Sequence, residues 1–196
     1  MYVFFDTETG GLTPDYSLLT VSAIVVDPQL QIVPVYDFHP GLYLRLKHTP
    51  YKTQERALKV NNIDLAEHDQ FGFTVAEASE ALEAFLRAAK TQLGIQRFIP
   101  AGHNVAFDIR FLQAHVLPEK KWDSLFMNPP LCTCATARFF NTANRLTVGC
   151  GLEKLRNHFG IDTGVAHNAE NDNLASIELA RRFVGLLPAP TLISYQ

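Results

Sequence analysis

The sequence predicts an α/β fold: a mixed five-stranded sheet flanked by helices, its first three strands an antiparallel meander and its later strands parallel. Three observations predict it. The N-terminal run Val3-Phe4-Phe5 is apolar enough for a buried strand. Two further strand patterns, Leu18–Asp27 and Gln31–His39, follow with short links. Helical and strand patterns then alternate, which places helices on the faces of the sheet.

Tyr2–Phe5 is the first strand, and Gly10 to Ser17, holding Gly, Pro and Asp, reads as a loop. The β-branched, apolar run from Leu18 to Asp27 is a long second strand. Asp27-Pro28-Gln29 turns the chain, and the alternation over Gln31–His39 is the third strand. Between Leu42 and Gln70 the pattern is mixed. Tyr51–Lys59 reads as a short helix carrying Lys52, Arg56 and Lys59 either to solvent or to a phosphate backbone. Thr74-Val-Ala-Glu77 is a capping box that opens a helix to about Lys90, with Ala78, Leu82, Phe85 and Leu86 as its buried stripe. Arg97–Ala101 is the fourth strand, ended by Gly102-His103-Asn104. Val105 to Val116 is helical and stops before Pro118. Leu131–Ala135 is the fifth strand, leading into a short helix through Arg138. Gly151–Phe159 is a helix closed by Gly160, and Asn168–Val184 is the last, ended by Pro188 and Pro190. One domain over residues 1–187 and a short tail over 188–196 account for the chain.

Composition narrows the function classes. With 47% hydrophobic and 19% charged residues in a chain of 196, the sequence is that of an ordinary globular protein with a substantial core. No apolar run approaches the ~20 residues of a membrane span, and no leader pattern precedes the first strand, so a cytoplasmic protein is expected. A formal charge of −3 disfavours broad coating of duplex nucleic acid but leaves room for a short single strand in a cleft. Cys132, Cys134 and Cys150, an odd number without a leader pattern, are expected as reduced thiols, and Cys132-x-Cys134 lacks the spacing of a zinc site.

The chemistry sits in three places. Asp6 and Glu8 lie two apart at the end of the first strand, so both project from one face. Like charges that close repel unless a cation lies between them, and hard oxygen ligands suit Mg²⁺ or Mn²⁺. Asp108 falls about one turn into the helix that Asn104 is expected to cap, beside the apolar positions Val105, Ile109 and Leu112. On the last helix Asn168 is the cap, Asp172 lies in the first turn, and His167 stays outside with its ring free to swing toward the acid.

These stretches, Asp6-x-Glu8, Gly102-His103-Asn104-Val105-Ala106-Phe107-Asp108 and His167-x-Ala-x-x-Asp172, resemble the three motifs of the DEDDh exonucleases. That is the DnaQ-like, ribonuclease H-like group containing the proofreading epsilon subunit of bacterial replicative polymerase. The likeness runs from Tyr2 to about Val184. It implies a 3′→5′ exonuclease that hydrolyses single-stranded ends to nucleoside monophosphates. Asp6, Glu8, Asp108 and Asp172 would hold two divalent cations, Mg²⁺ or Mn²⁺, with His167 as general base. It also implies that the backbone from Thr7 through Thr9, Gly10 and Gly11 approaches the 3′ end and that Leu12 wedges against a base. His103, Asn104 and Phe107 would line the nucleotide pocket.

Several alternatives remain open at this level. Phe107 fits a stacking face or a core aromatic equally. DNA is favoured over an exoribonuclease substrate by the likeness to proofreading enzymes alone. A non-catalytic binding module would have lost a ligand, and another phosphodiesterase would take dinucleotides or cyclic nucleotides. Asn62, where the family often has glycine, is expected to take the left-handed conformation. The tail from Pro188 carries no polymerase- or clamp-binding signature, and neither a polymerase partner nor a homodimer is specified.

Overall fold

The odd–even alternation of the first strand decides how the molecule is layered. In a computed structural model, which describes residues 1–36 and 40–187, this strand is β1 (Tyr2–Thr9). Val3 and Phe5 point into one apolar cluster and Phe4 into another on the opposite face. Asp6 and Glu8 share the parity of Phe4. β1 pairs antiparallel with β2 (Leu18–Val26), whose nine residues are all buried. A strand covered on both faces reads as a continuous apolar run, which is how this one reads.

β2 pairs antiparallel with β3 (Leu42–Lys47). The expected third strand over Gln31–His39 is therefore displaced. Residues 37–39 lie outside the described residues, and of the rest Ile32 and Val35 are isolated bridge residues, Ile32 opposite Val26, with no continuous ladder. Leu30 and Tyr36 take positive φ and Pro34 has no N–H to donate, so an extended pairing there is interrupted. Leu42–Lys47 instead alternates buried and half-buried side chains and completes the meander.

Two short helices follow, α1 (Glu55–Asn61) and α2 (Leu65–Phe71). The first begins later than the expected Tyr51 because Lys52 and Gln54 are tied by their backbones to Ser17 and Gly10. Asn62 takes the expected left-handed conformation at the end of α1, with φ 51°. A two-residue β4 (Phe73–Thr74) then adds a parallel edge to β3, a sixth strand where five were expected. Thr74 and Glu77 form the capping box that opens α3 (Val75–Leu93). Ala78, Leu82, Phe85 and Leu86 of α3 are buried against the Val3/Phe5 face.

β5 (Ile99–Gly102) lies parallel to β1, and α4 (Ala106–His115) and α5 (Glu119–Leu125) follow it. β6 (Leu131–Cys132) lies parallel to β5 and runs straight into α6 (Thr133–Thr142). α7 (Leu152–Phe159) ends at a left-handed Gly160. α8 (Ala169–Gly185) closes the described chain. The strand order is β4-β3-β2-β1-β5-β6. α8 covers the Phe4 face through Ile177 and Ala180. No helix among the described residues is long and apolar enough to cross a membrane.

Candidate active site

Parity brings the first two acids under α8. Phe4 packs on α8, so Asp6 and Glu8, two and four residues on, point along the same side toward its N-terminal turn. Asn168 caps that turn, accepting the Glu170 and Asn171 N–H groups, and so places Asp172 one turn in. Ligand oxygens of Asp6, Glu8 and Asp172 lie within 4.8 Å of one another.

Asp108 belongs to the same acidic centre but stands apart from that triad. It lies in the first turn of α4, buried, and accepts the Thr7 hydroxyl at 2.8 Å. Thr7 has the opposite parity to Asp6 and Glu8, so this contact holds Asp108 from the other side of β1. Asn104 does not cap α4 with its side chain. It sits at φ 58° and offers its carbonyl to the Phe107 N–H, while Val105 occupies the cap position.

The carboxylates resist ionisation together. Burial first, then the charges of Asp108, Glu8 and Asp172, hold Asp6 well above the usual carboxylate range. Burial, then Asp172 and Asp108, push Glu8 up to about 8. Burial pushes Asp108 up to about 7 against the opposing Thr7 hydrogen bond. Burial also raises Asp172, against the His167 amide and Arg156. A divalent cation reverses this balance by favouring every charged form at once. Clustered hard oxygens with strong mutual repulsion fit such an ion.

His167 is exposed at φ 59°, and its backbone N–H donates to Asp172 Oδ2 at 3.0 Å. It lines a polar cavity of about 130 Å³ with Glu8, Tyr43 and Arg45. The β-ladder explains the company. Glu8 pairs with Thr20 and Thr20 with Arg45, so a polar row crosses the sheet from the acids to a guanidinium.

On the other side of Glu8 lies a larger cavity of about 420 Å³. Thr7, Thr9, Gly11, Leu12 and Phe107 line it together with α1 residues that include Arg56 and Asn61. Leu12 stands 75% exposed. Phe107 packs 4.9 Å from Phe111 and also lines the cavity. Gly10 and Gly11 also allow a close approach of the chain to itself. A Cβ on Gly10 would meet the Lys52 carbonyl at 2.4 Å, and one on Gly11 the Tyr16 ring at 2.4 Å. The missing side chains let the loop fold onto its own chain. His103 turns elsewhere, its Nδ1 3.0 Å from Thr133 Oγ1, and burial brings its pKa down to about 4.

Three residues of the site were not legible in the sequence. Arg156, on α7, bonds Asp172 Oδ1 at 3.0 Å. Arg45 reaches the site from β3, a strand the sequence placed elsewhere. Asn173 is fully buried and donates to the Phe4 carbonyl and to Ser22 Oγ, tying α8 to the sheet beside Asp6. Its position next to Asp172 was the one available signal.

Known proteins share part of this sequence and most of this fold. No family model matches the chain. A ribonuclease T from Haemophilus ducreyi is 35% identical over 122 residues, 58% of this chain and 53% of that protein. E. coli exonuclease I in complex with a dT13 oligonucleotide superposes with a TM-score of 0.74 at 19% identity, over 92% of this chain and 40% of that one. A zinc-bound exonuclease I–ssDNA complex from E. coli gives 0.67, also at 19% identity, over 92% and 39%. The chain thus spans about half of the ribonuclease T and about two fifths of exonuclease I. The chain is similar in sequence to a ribonuclease T over part of its length and shares the fold of exonuclease I, and its three acidic motifs resemble those of the DEDDh, DnaQ-like exonucleases.

Proposed function

We propose that the chain is a metal-dependent 3′→5′ exonuclease that releases nucleoside 5′-monophosphates from single-stranded nucleic acid. The observation that carries this is the convergence of Asp6, Glu8 and Asp172 within 4.8 Å beside a cavity rimmed by Leu12 and Phe107. Asp6, Glu8 and Asp172, with Asp108 alongside, would hold two divalent cations, Mg²⁺ or Mn²⁺. When bound, such ions supply a water nucleophile at neutral pH and stabilise charge on the leaving oxygen.

The chain's own residues do the rest. His167 stands outside α8 beside Glu8 and takes the proton of the attacking water, the task for which an imidazole near neutrality is suited. Phe107 offers its face to the terminal base, and the exposed Leu12 at the same cavity wedges against a base. The Thr7–Gly11 backbone contacts the 3′ end. Arg45 lies on the His167 side and meets a backbone phosphate of the strand still attached. Three free cysteines suit a reducing, cytoplasmic setting.

DNA is the first choice of substrate, supported by the dT13-bound fold relative. RNA is the second reading, favoured by the ribonuclease T kinship. The test is digestion of matched DNA and RNA oligomers, each labelled at the 3′ or the 5′ end, with Mg²⁺ or Mn²⁺ or with chelator. Stepwise loss from the 3′ end that stops in chelator is expected. Internal cutting, or turnover unaffected by chelator, rejects the proposal.

A further inference from the structure

His167 must hold its place while its own backbone is under constraint. It adopts φ 59°, and Gly164, three residues earlier, adopts φ 98°. A residue with a Cβ keeps such a conformation only where its surroundings impose it. Thr163 and Val165 are tied to α8 through Asn171, at 2.8 and 3.0 Å. His167 itself is tied by its N–H to Asp172 Oδ2.

Arg156 joins these ties. It is 8% exposed, and its guanidinium spans two targets. Nη1 donates to Asp172 Oδ1 at 3.0 Å and Nη2 to the Gly164 carbonyl at 2.7 Å. A planar fork can bridge two acceptors at once, which the point charge of a lysine does not reproduce. Arg156–Asp172 is also the one ion pair made by the acidic centre among the described residues. A carboxylate has about four lone-pair sites, so one hydrogen bond to each oxygen leaves capacity for a cation.

We propose that Arg156 is a positioning residue for the reaction. It clamps the Asp172 carboxylate and the Gly164–His167 turn into one unit, so that the imidazole and the carboxylate cluster keep a fixed relation. The clamp rests on the exonuclease reading through the part given to His167, but its first readout needs no turnover.

That readout is the ring ¹H–¹⁵N NMR signal of His167, assigned by its loss in His167→Ala, in metal-free protein. Arg156→Gln and Arg156→Lys are expected to shift or broaden this signal while the other histidines stay in place. An unchanged His167 signal overturns the proposal. The second readout is kinetic, on the oligomer that wild type degrades. Arg156→Gln is expected to lower kcat roughly 10–100-fold, the scale of a small misplacement, with KM changed by less than about threefold. Arg156→Gln combined with His167→Ala is expected to be no slower than His167→Ala alone, because both act through one group. Additive losses, or wild-type kcat in Arg156→Gln, overturn the clamp. Melting curves establish which variants fold; if Arg156→Gln does not, Arg156→Lys, which keeps the charge and loses the fork, carries both readouts with a smaller kcat loss. If wild type degrades no oligomer, the exonuclease reading fails and the NMR result alone decides the clamp.

Discussion

Replacing Glu8 by Gln removes a charge from a site that disfavours it, and the effect on stability follows from the geometry. Burial and the Asp172 and Asp108 charges push Glu8 from 4.5 to about 8. Below pH 4.5 the group is protonated in folded and unfolded chains alike and makes no difference. As pH rises, the unfolded chain releases its proton first, so metal-free protein loses stability until about pH 8. At about 1.4 kcal/mol per pH unit that interval amounts to at most roughly 5 kcal/mol. In a domain of this size ~1 kcal/mol moves Tm by about 2–4 °C. Metal-free Glu8→Gln is therefore expected to melt several degrees, and at most about 20 °C, above wild type at pH 9. At pH 5 the two are expected to converge. Millimolar Mn²⁺ at pH 8 should raise the wild-type Tm more than that of Glu8→Gln, since binding to the folded state stabilises it. Circular-dichroism melts in EDTA between pH 5 and 9, repeated with Mn²⁺, measure all of this. Coincident melts of the two proteins at pH 9 would refute the picture of crowded, reluctant carboxylates.

Other substitutions separate chemistry, recognition and packing. Asp6→Asn is expected to abolish oligonucleotide cleavage while the far-UV spectrum and Tm in EDTA are kept or improved; undiminished turnover rules out its role as a ligand. Leu12→Ala truncates the exposed side chain proposed to wedge against a base, and its KM is expected to rise roughly tenfold with kcat little altered, read by steady-state kinetics. Thr7→Val removes the donor that favours the charged form of Asp108, so that pKa rises and the acid limb of the pH–rate profile should move to higher pH. A limb that stays put removes Asp108 from the active centre. Leu82→Ala, fully buried beneath the sheet, is expected to cost about 2–5 kcal/mol in urea unfolding with an unchanged m-value.

Much of the fold could be read because its signals are local. The Thr74/Glu77 capping box, the Asn168 cap and the left-handed Asn62 each depend on residues within three or four positions, and each appears as expected. Expectations failed where a distant partner outweighed the local pattern. Alternation over 31–39 looked like a strand, yet β2 pairs with 42–47, whose side chains complete the buried face. Asn104 had the chemistry of a cap, but the turn out of β5 puts it at φ 58° and passes that position to Val105.

The sequence by itself determined the chemical types and their local frames: two acids of one parity at a strand end, an acid in the first turn of a helix, and a histidine just outside another. These follow from periodicities of two and 3.6 residues and from capping, which neighbouring residues decide. Tertiary structure alone decided that Asp108 reaches the site from the opposite side of β1 through Thr7, that Arg45 arrives from β3, and that Arg156 closes on Asp172 and Gly164. Contacts between side chains on different elements depend on strand pairing and helix docking, and no local pattern encodes them.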